Sequence, residues 1–220
     1  MTNHLSCFRL AAVAVFVCLA GPALAAPSFF GYTGLVAVPT ADALDKDDYN
    51  AAAFTLNFEE GGDSNIYAAN LGLADGLEVG FARFKPEEGQ GETFLNAKYR
   101  FSPETGERPA IAAGVVDFTD ELDTTVYIVM SKSLVKRYEK SFGEIVSPQI
   151  HFGVGGGQFD GVFAGLSAAI GERLMLMVEH DSEEINFGAR LALSDELRAH
   201  FAALDGFDDI GLGLSYNKSF

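Results

Sequence analysis

The mature part of this sequence has no cysteine. Both cysteines, Cys7 and Cys18, lie in an N-terminal stretch in which Arg9 precedes an apolar run and a small-residue cleavage motif ends at Ala25. This composition is typical of a secretory signal peptide, which we assign to residues 1–25. Cleavage there leaves 195 residues, the size of one domain. An exported chain without cysteine cannot be a disulfide-stabilised scaffold.

Basic side chains are also scarce. Without Arg9 the chain has 14 Lys and Arg against 31 Asp and Glu, a net charge of −17 with neutral histidine. Such a surface repels nucleic acid, so we expect no nucleic-acid partner.

Long apolar runs are missing after the signal peptide. No stretch of eighteen apolar residues remains, which excludes a transmembrane helix. Two classes stay open: a soluble exported protein, and a β-barrel, whose strands give a weak hydropathy signal.

Apolar and polar residues alternate with a period of two through most of residues 50–220, as in strands that face two environments. Most of the alternating segments have eight to eleven residues, and a tilted membrane strand needs about 9–11. We therefore predict an all-β fold, an antiparallel transmembrane β-barrel of about twelve strands, within a range of 10–14. The segments are 50–59, 65–73, 77–85, 93–101, 110–118, 124–134, 149–157, 162–170, 173–179, 185–193, 197–204 and 210–220.

The two faces of the predicted strands differ in residue size. Ile185, Phe187 and Leu191 share one face of a strand, whereas Gly188 and Arg190 share the other. Glycine, alanine and small polar residues on the second face suit the crowded interior of a narrow barrel.

The connections also alternate in character. Short turns follow the second, eighth and tenth predicted strands, which places them on the periplasmic side if the N-terminus is there. The opposite connections are all acidic, while basic residues cluster in 132–140 on the periplasmic side. The acidic rim has two interpretations: it keeps the rim soluble, or it binds divalent cations that bridge to lipopolysaccharide phosphates.

Two segments lie outside the strand pattern. Residues 26–49 form an N-terminal segment that sits at the periplasmic mouth or enters the lumen as a partial plug, with Thr40 after Pro39 as a potential helix start. Residues 135–148 are either a short amphipathic helix at the membrane surface or an ordered loop.

The C-terminal strand resembles the signal that the barrel assembly machinery reads. Leu212, Leu214, Tyr216 and Phe220 match its pattern of alternate apolar residues before a terminal aromatic, and Lys218 departs from it. The resemblance implies that the assembly machinery and outer-membrane lipid, including lipopolysaccharide, are partners.

A second resemblance covers most of the mature chain. The stretch GYTGLVAVPTADAL, residues 31–44, resembles the opening motif of the YjbH-type family of outer-membrane β-barrels. Glu179, Asp181, Asn186, Gly188 and Arg190 are similar to the family's recurring strand-turn-strand element. The resemblance implies a short single-barrel member in a Gram-negative outer membrane, a role in exopolysaccharide secretion, and polysaccharide secretion proteins as partners.

Glu179 and Arg190 are the candidate functional residues inside the barrel. They fall on adjacent predicted strands with the same inward parity, so we predict a lumen charge pair. This pair has two interpretations: a constriction that filters ions, or a structural brace that neutralises charge in a narrow interior.

No residue pattern predicts catalysis, a metal or a cofactor. His151, His180 and His200 lack metal-ligand spacing, and the glycines of 153–157 lack the lysine and helix of a phosphate loop. We therefore expect a non-enzymatic barrel with a role in exopolysaccharide secretion or envelope assembly, or a small passive pore. The alternatives are a soluble periplasmic β-protein that binds a ligand and an outer-membrane hydrolase.

Overall fold

The computed structural model describes residues 25–58, 62–134, 138–141 and 144–219, with side chains described outside 135–146. The predicted signal peptide up to residue 24, and Phe220, lie outside the described residues. The strands are β1 (Tyr49–Phe58), β2 (Gly62–Ala74), β3 (Leu77–Pro86), β4 (Glu92–Ser102), β5 (Ala110–Val116), β6 (Thr125–Ser133), β7 (Tyr138–Ser141), β8 (Glu144–Gly155), β9 (Gly161–Ile170), β10 (Leu174–His180), β11 (Ile185–Ala192), β12 (Leu197–Leu204) and β13 (Asp209–Lys218). Two short 3-10 turns, Gly157–Phe159 and Asp205–Phe207, complete the described elements.

Twelve of these strands form one closed antiparallel barrel. Each pairs with its neighbours in sequence, and β6 pairs with β8 across the short β7. The ring closes where β1 pairs with β13, from Tyr49 opposite Lys218 to Asn57 opposite Ile210. The predicted fold is thereby confirmed. Closure satisfies the backbone hydrogen bonds of both edge strands, which lipid cannot do.

The period-two alternation in the sequence corresponds to side chains that face alternately into the barrel and out from its wall. In β3, Phe81 is 43% exposed on the outer wall, whereas the next residue, Ala82, is fully buried inside. The same alternation runs through the other barrel strands and leaves a belt of large apolar side chains on the outer wall. Among the described residues, no helix is long and apolar enough to cross a membrane.

The two ends of the barrel differ in charge. We name the end that holds Tyr49 and Lys218 the turn end, and the opposite end the loop end. The described loop-end connections, 87–91, 117–124, 156–160, 181–184 and 205–208, contain no Lys or Arg. The described turn-end connections include Arg108 and Arg173 together with six Asp and Glu residues, so both ends are acidic and the loop end differs in having no described basic residue in its connections. Most of the basic cluster predicted in 132–140 lies outside the described side chains.

The part of residues 135–148 that the structure describes is neither a short amphipathic helix nor an ordered loop, the two forms that the sequence left open. Tyr138–Ser141 and Glu144–Gly155 are antiparallel strands of a hairpin. The strand β8 also begins five residues earlier than predicted. Its Pro148 interrupts the local strand pattern, but pairing with β6 and β9 fixes the extended backbone.

Residues 26–44, which we name the lumen segment, lie inside the barrel. Nearly all of them are buried, and Ala26, Val36 and Val38 are fully so. Of the two placements open from the sequence, the structure shows the one inside the lumen. The segment folds back on itself through two isolated bridges, Pro27 to Thr33 and Gly34 to Pro39.

The potential helix at Thr40 does not form. The carbonyl oxygens of Thr40 and Asp42 accept hydrogen bonds from the Lys98 ammonium, and the Leu44 amide donates to Glu78. These backbone groups are therefore bound by side chains of the barrel wall and not by a helical turn. Tertiary contacts override the local capping signal.

Candidate functional site: the filled lumen

The Glu179 carboxylate holds the loop-end part of the lumen segment. It projects inward from β10 and accepts hydrogen bonds from three consecutive backbone amides, Val36 at 3.0 Å, Ala37 at 2.5 Å and Val38 at 3.2 Å. The side-chain amide of Asn186 donates a further bond at 3.4 Å. Charge-assisted bonds of this kind are stronger than neutral ones.

Glu78 and Lys98 hold the other arm of the segment. The Glu78 carboxylate accepts hydrogen bonds from the Thr33 amide, the Thr33 hydroxyl and the Leu44 amide. The Lys98 ammonium donates to the Thr33 carbonyl at 2.6 Å and the Asp42 carbonyl at 2.7 Å, and it also contacts the Thr33 hydroxyl. Opposite charges therefore meet at Thr33, which balances charge in a buried site.

Arg190 binds the third part of the lumen segment. Its guanidinium donates to the carbonyl oxygens of Pro27, Gly34 and Leu35 at 3.1–3.4 Å. A planar group with five N–H donors suits such a cluster of carbonyl acceptors. Glu78, Lys98, Glu179 and Arg190 are each only 2% exposed, and they comprise two acidic and two basic side chains.

The structure places the two residues of the predicted charge pair inside the barrel but directs them to different partners. Glu179 lies opposite Asn186 in the β10–β11 ladder, whereas Arg190 lies opposite Met175. The ion pairs among the described residues are Arg100–Asp45, Lys132–Glu104 and Lys218–Glu196. Glu179 and Arg190 are thus joined through the lumen segment, which binds both.

Small inward residues make room for the apolar side chains of the lumen segment. A Cβ atom at Gly188 would lie 2.4 Å from Val36 Cγ2, and one at Gly211 would lie 2.6 Å from Phe29 Cε1. Both distances are shorter than a van der Waals contact, so a larger residue does not fit. The glycines on the inward face therefore make room for the lumen segment, in addition to suiting a narrow barrel.

The lumen also contains Ser–His contacts that sequence reasoning missed. His151 lies between Ser131 at 2.8 Å and Ser167 at 3.0 Å, and His200 contacts Ser215 at 2.7 Å. Their shared inward parity was the available signal. These side chains are buried, and the Ser131 hydroxyl oxygen accepts the Ala41 amide, so they help to hold the lumen segment.

A small cavity lies between the lumen segment and the wall. It is lined by Gly34, Thr40, His151, Ser167 and Arg190 and has a volume of about 10 Å³. That is close to the space that one water molecule needs. Within the described residues, no group of three or more His, Cys, Asp or Glu side chains is placed to hold a metal ion.

At the loop end, Asp117 organises the connection between β5 and β6. Its carboxylate accepts bonds from the Thr119 hydroxyl and from the amides of Glu121, Leu122 and Asp123, at 2.6–3.1 Å. Burial acts to raise the pKa of Asp117, but these hydrogen bonds outweigh it and leave the pKa below its ordinary value. The charged carboxylate is therefore the form that holds this loop.

The described residues of the predicted assembly signal lie on the outer wall. Leu212, Leu214 and Tyr216 are 59%, 51% and 42% exposed, in the strand that closes the ring. Their position in the last strand suits a signal that is read before closure, and this role stays a prediction. Phe220 lies outside the described residues.

The closed ring of strands and the apolar outer belt define a transmembrane β-barrel, a fold that this chain shares with outer-membrane porins. The KdgM porin matches 78% of this chain and 99% of its own, with 9% identity and a TM-score of 0.55. A structure of KdgM porin in complex with disordered oligogalacturonate matches 79% of this chain and 99% of its own, with 10% identity and a TM-score of 0.54. The Acinetobacter baumannii outer membrane protein Omp33 matches 80% of this chain and 99% of its own, with 8% identity and a TM-score of 0.46. No family model matches the sequence, and no curated protein does.

Proposed function

We propose that this outer-membrane barrel is kept closed by its own lumen segment and serves exopolysaccharide secretion or envelope assembly without catalysing a reaction. One observation carries the closed state: four buried charged side chains of the wall bind the backbone of residues 26–44. A lumen filled in this way does not suit a permanently open pore. The role in polysaccharide secretion rests on the resemblance to the YjbH-type family.

The outer wall argues against the soluble alternative. Phe81, Phe152, Leu166 and Phe187 belong to a belt of exposed apolar side chains around the barrel. Soluble monomers rarely expose contiguous apolar patches above a few hundred square ångströms. The hydrolase alternative has little support, because the Ser–His contacts among the described residues are buried beneath the lumen segment.

A passive pore is the second candidate function. The lumen segment is attached to the wall by side chains and not by a continuous strand ladder, so it can leave without breaking the barrel's own pairing. In this alternative the segment acts as a gate, and solutes cross when it is displaced.

Conductance separates a closed barrel from an open pore. In planar bilayers we expect the full mature chain to show no steady current, and a variant without residues 26–44 to conduct steadily. A heat-dependent shift in gel mobility shows that each barrel has folded. Steady current from the full chain at the level of the deletion variant would contradict the closed state.

A disulfide lock tests whether the segment must move. The mature chain has no cysteine, and Val36 lies close enough to Gly188 for a Val36→Cys/Gly188→Cys pair to form a disulfide. If the segment is a gate, the oxidised pair should abolish channel openings and reduction should restore them. Val36→Cys alone is the control.

The physiological role needs a separate assay. Cells that lack the protein should secrete less exopolysaccharide, and expression of the full chain should restore secretion. Unchanged secretion would remove the polysaccharide role while leaving the closed barrel intact. If the oxidised disulfide variant restores exopolysaccharide secretion, the closed form is sufficient for secretion.

A further inference from the structure

The outer wall changes character near the loop end of β1 to β4. Elsewhere the described outward residues near the loop end are apolar, as at Val126, Val162 and Ile185, except for His180 on β10. On β1 to β4 the corresponding outward positions are polar. They are Thr55, Asn57, Asp63, Asn65, Arg83, Lys85 and Thr93.

Arg83 and Lys85 provide positive charge in this polar patch. Among the described residues they are the only Lys or Arg on the outward face near the loop end, and both are exposed. Arg83 donates one bond to the Thr93 hydroxyl at 2.8 Å, which leaves other N–H donors of its guanidinium available. Neither side chain forms an ion pair with a described residue.

A groove lies beside this pair on the outer wall. It has a volume of about 520 Å³, and its lining includes Ala53, Thr55, Tyr67, Ala199, Leu212 and Leu214. Tyr67 is the ladder partner of Arg83, and Asn65 is the ladder partner of Lys85. Such partners have Cβ atoms about 4.5–5.5 Å apart, so the groove and the cations adjoin.

We propose that this surface binds a phosphorylated glycolipid of the outer leaflet. A lipid phosphate contacts Arg83 and Lys85, and an acyl chain occupies the groove over Ala53, between Tyr67 and Leu214. Arginine binds phosphate with paired hydrogen bonds, and lysine adds a compact charge. The site rests on the orientation in which the loop end faces the outside, and it is independent of the lumen segment.

The surroundings favour a lipid over a free anion. The acidic loops at this end repel phosphate that approaches from solution. A phosphate carried by a lipid arrives laterally, from the side on which Arg83 and Lys85 project. Over β1 the adjoining groove has Tyr67 on one side, Leu212 and Leu214 on the other, and the small side chains of Ala53 and Thr55 in its floor, which suits an acyl chain.

Native mass spectrometry of the full mature chain in detergent tests the site. The probes are bis-phosphorylated lipid A, its dephosphorylated form, phosphatidylglycerol and inorganic phosphate. We expect Arg83→Gln/Lys85→Gln to weaken binding of bis-phosphorylated lipid A at least tenfold. The matched control Lys46→Gln/Arg108→Gln removes the same charge at the turn end and should change binding less than twofold.

The groove is tested without changing charge. Ala53→Leu fills it and should weaken lipid A binding at least threefold, whereas Ala189→Leu, an outward alanine on β11, should not. Equal binding of the dephosphorylated lipid, or unchanged binding by the Arg83/Lys85 variant, would overturn the proposal. Equal binding of phosphatidylglycerol would show a general anionic-lipid surface. Displacement of lipid A by millimolar inorganic phosphate would show a free-anion site. Either result would overturn the glycolipid assignment.

Discussion

At the residue scale, charged side chains of the barrel wall bind the backbone of the lumen segment. Glu179 gathers three successive amides of the lumen segment, and Arg190 gathers three of its carbonyls. Each group satisfies backbone atoms that would otherwise be buried without partners, at a cost of about 1–3 kcal/mol each. The charged residues of the wall thus substitute for the secondary structure that the segment lacks.

Replacing Glu179 tests this arrangement. Glu179→Gln keeps the shape but removes the charge and turns an NH₂ group toward amide donors, so the segment should be held less tightly by about 1.5–3 kcal/mol. We expect the temperature of the gel mobility shift to fall and brief channel openings to appear in planar bilayers. Glu172→Gln, in an exposed turn, is the control. Unaltered stability and conductance would mean that Glu179 does not hold the segment.

The contact between Gly188 and Val36 offers a compensating pair. Gly188→Ala places a methyl group 2.4 Å from Val36 Cγ2 and should destabilise the barrel by about 1–3 kcal/mol through overpacking. Val36→Ala removes the nearer clashing atom and leaves only Met177 Cε, at 2.9 Å, which is the end of a flexible side chain, so the double variant should recover part of that loss. Thermal unfolding of the four proteins measures the coupling, and additive effects would place the segment elsewhere.

At the scale of elements, the loop between β5 and β6 depends on one carboxylate. Asp117→Asn should increase hydrogen exchange at the Leu122 amide, which donates to Asp117 Oδ2 at 2.6 Å. Glu121→Gln removes the same charge without removing that acceptor and should leave the exchange rate unchanged. Equal exchange in both variants would show that the loop is held by other contacts.

The same carboxylate predicts a pH dependence. The folded pKa of Asp117 lies below its ordinary value of 3.8, so its stabilisation is fully present above pH 3.8. It is lost as the pH falls through the lower folded pKa. Protection of the Leu122 amide should therefore persist at pH 5 and decline below about pH 3.8, and the decline should be absent from Asp117→Asn.

Strand β9 provides a test of depth in the membrane. Leu166 lies near the middle of the strand and Val162 near its loop end, both on the outer wall. Leu166→Arg should reduce folding stability in lipid vesicles by about 2–4 kcal/mol, and Val162→Arg by about 0–1 kcal/mol. Similar costs at both positions would be inconsistent with a bilayer centred on the strand.

At the scale of the whole molecule, the closed ring and the filled lumen are separate properties. Strand pairing closes the wall without any contribution from residues 26–44, as the ladder from β1 to β13 shows. The lumen segment then occupies an interior that the wall already defines. This separation is why a deletion variant is expected to fold and conduct.

The sequence by itself determined the strands and their faces. Alternation is a local property, because successive side chains of a strand point to opposite sides, and it gave all twelve barrel strands to within a few residues. Strand β7 and the first five residues of β8 were not predicted, because Pro148 and the residues before it lack that alternation. The inward parity of Glu179 and Arg190 was readable, but their partners were not.

Only the tertiary structure decided what fills the barrel. Val36 and Glu179 are 143 positions apart in the chain, and Pro27 and Arg190 are 163 apart. No periodic pattern encodes such contacts, since they arise when closure brings many strands around one short segment. The local signal at Thr40 indicated a helix, yet the wall supplied better partners for the same backbone groups. The strand pattern therefore specified the barrel, and the closed barrel specified the path of the lumen segment.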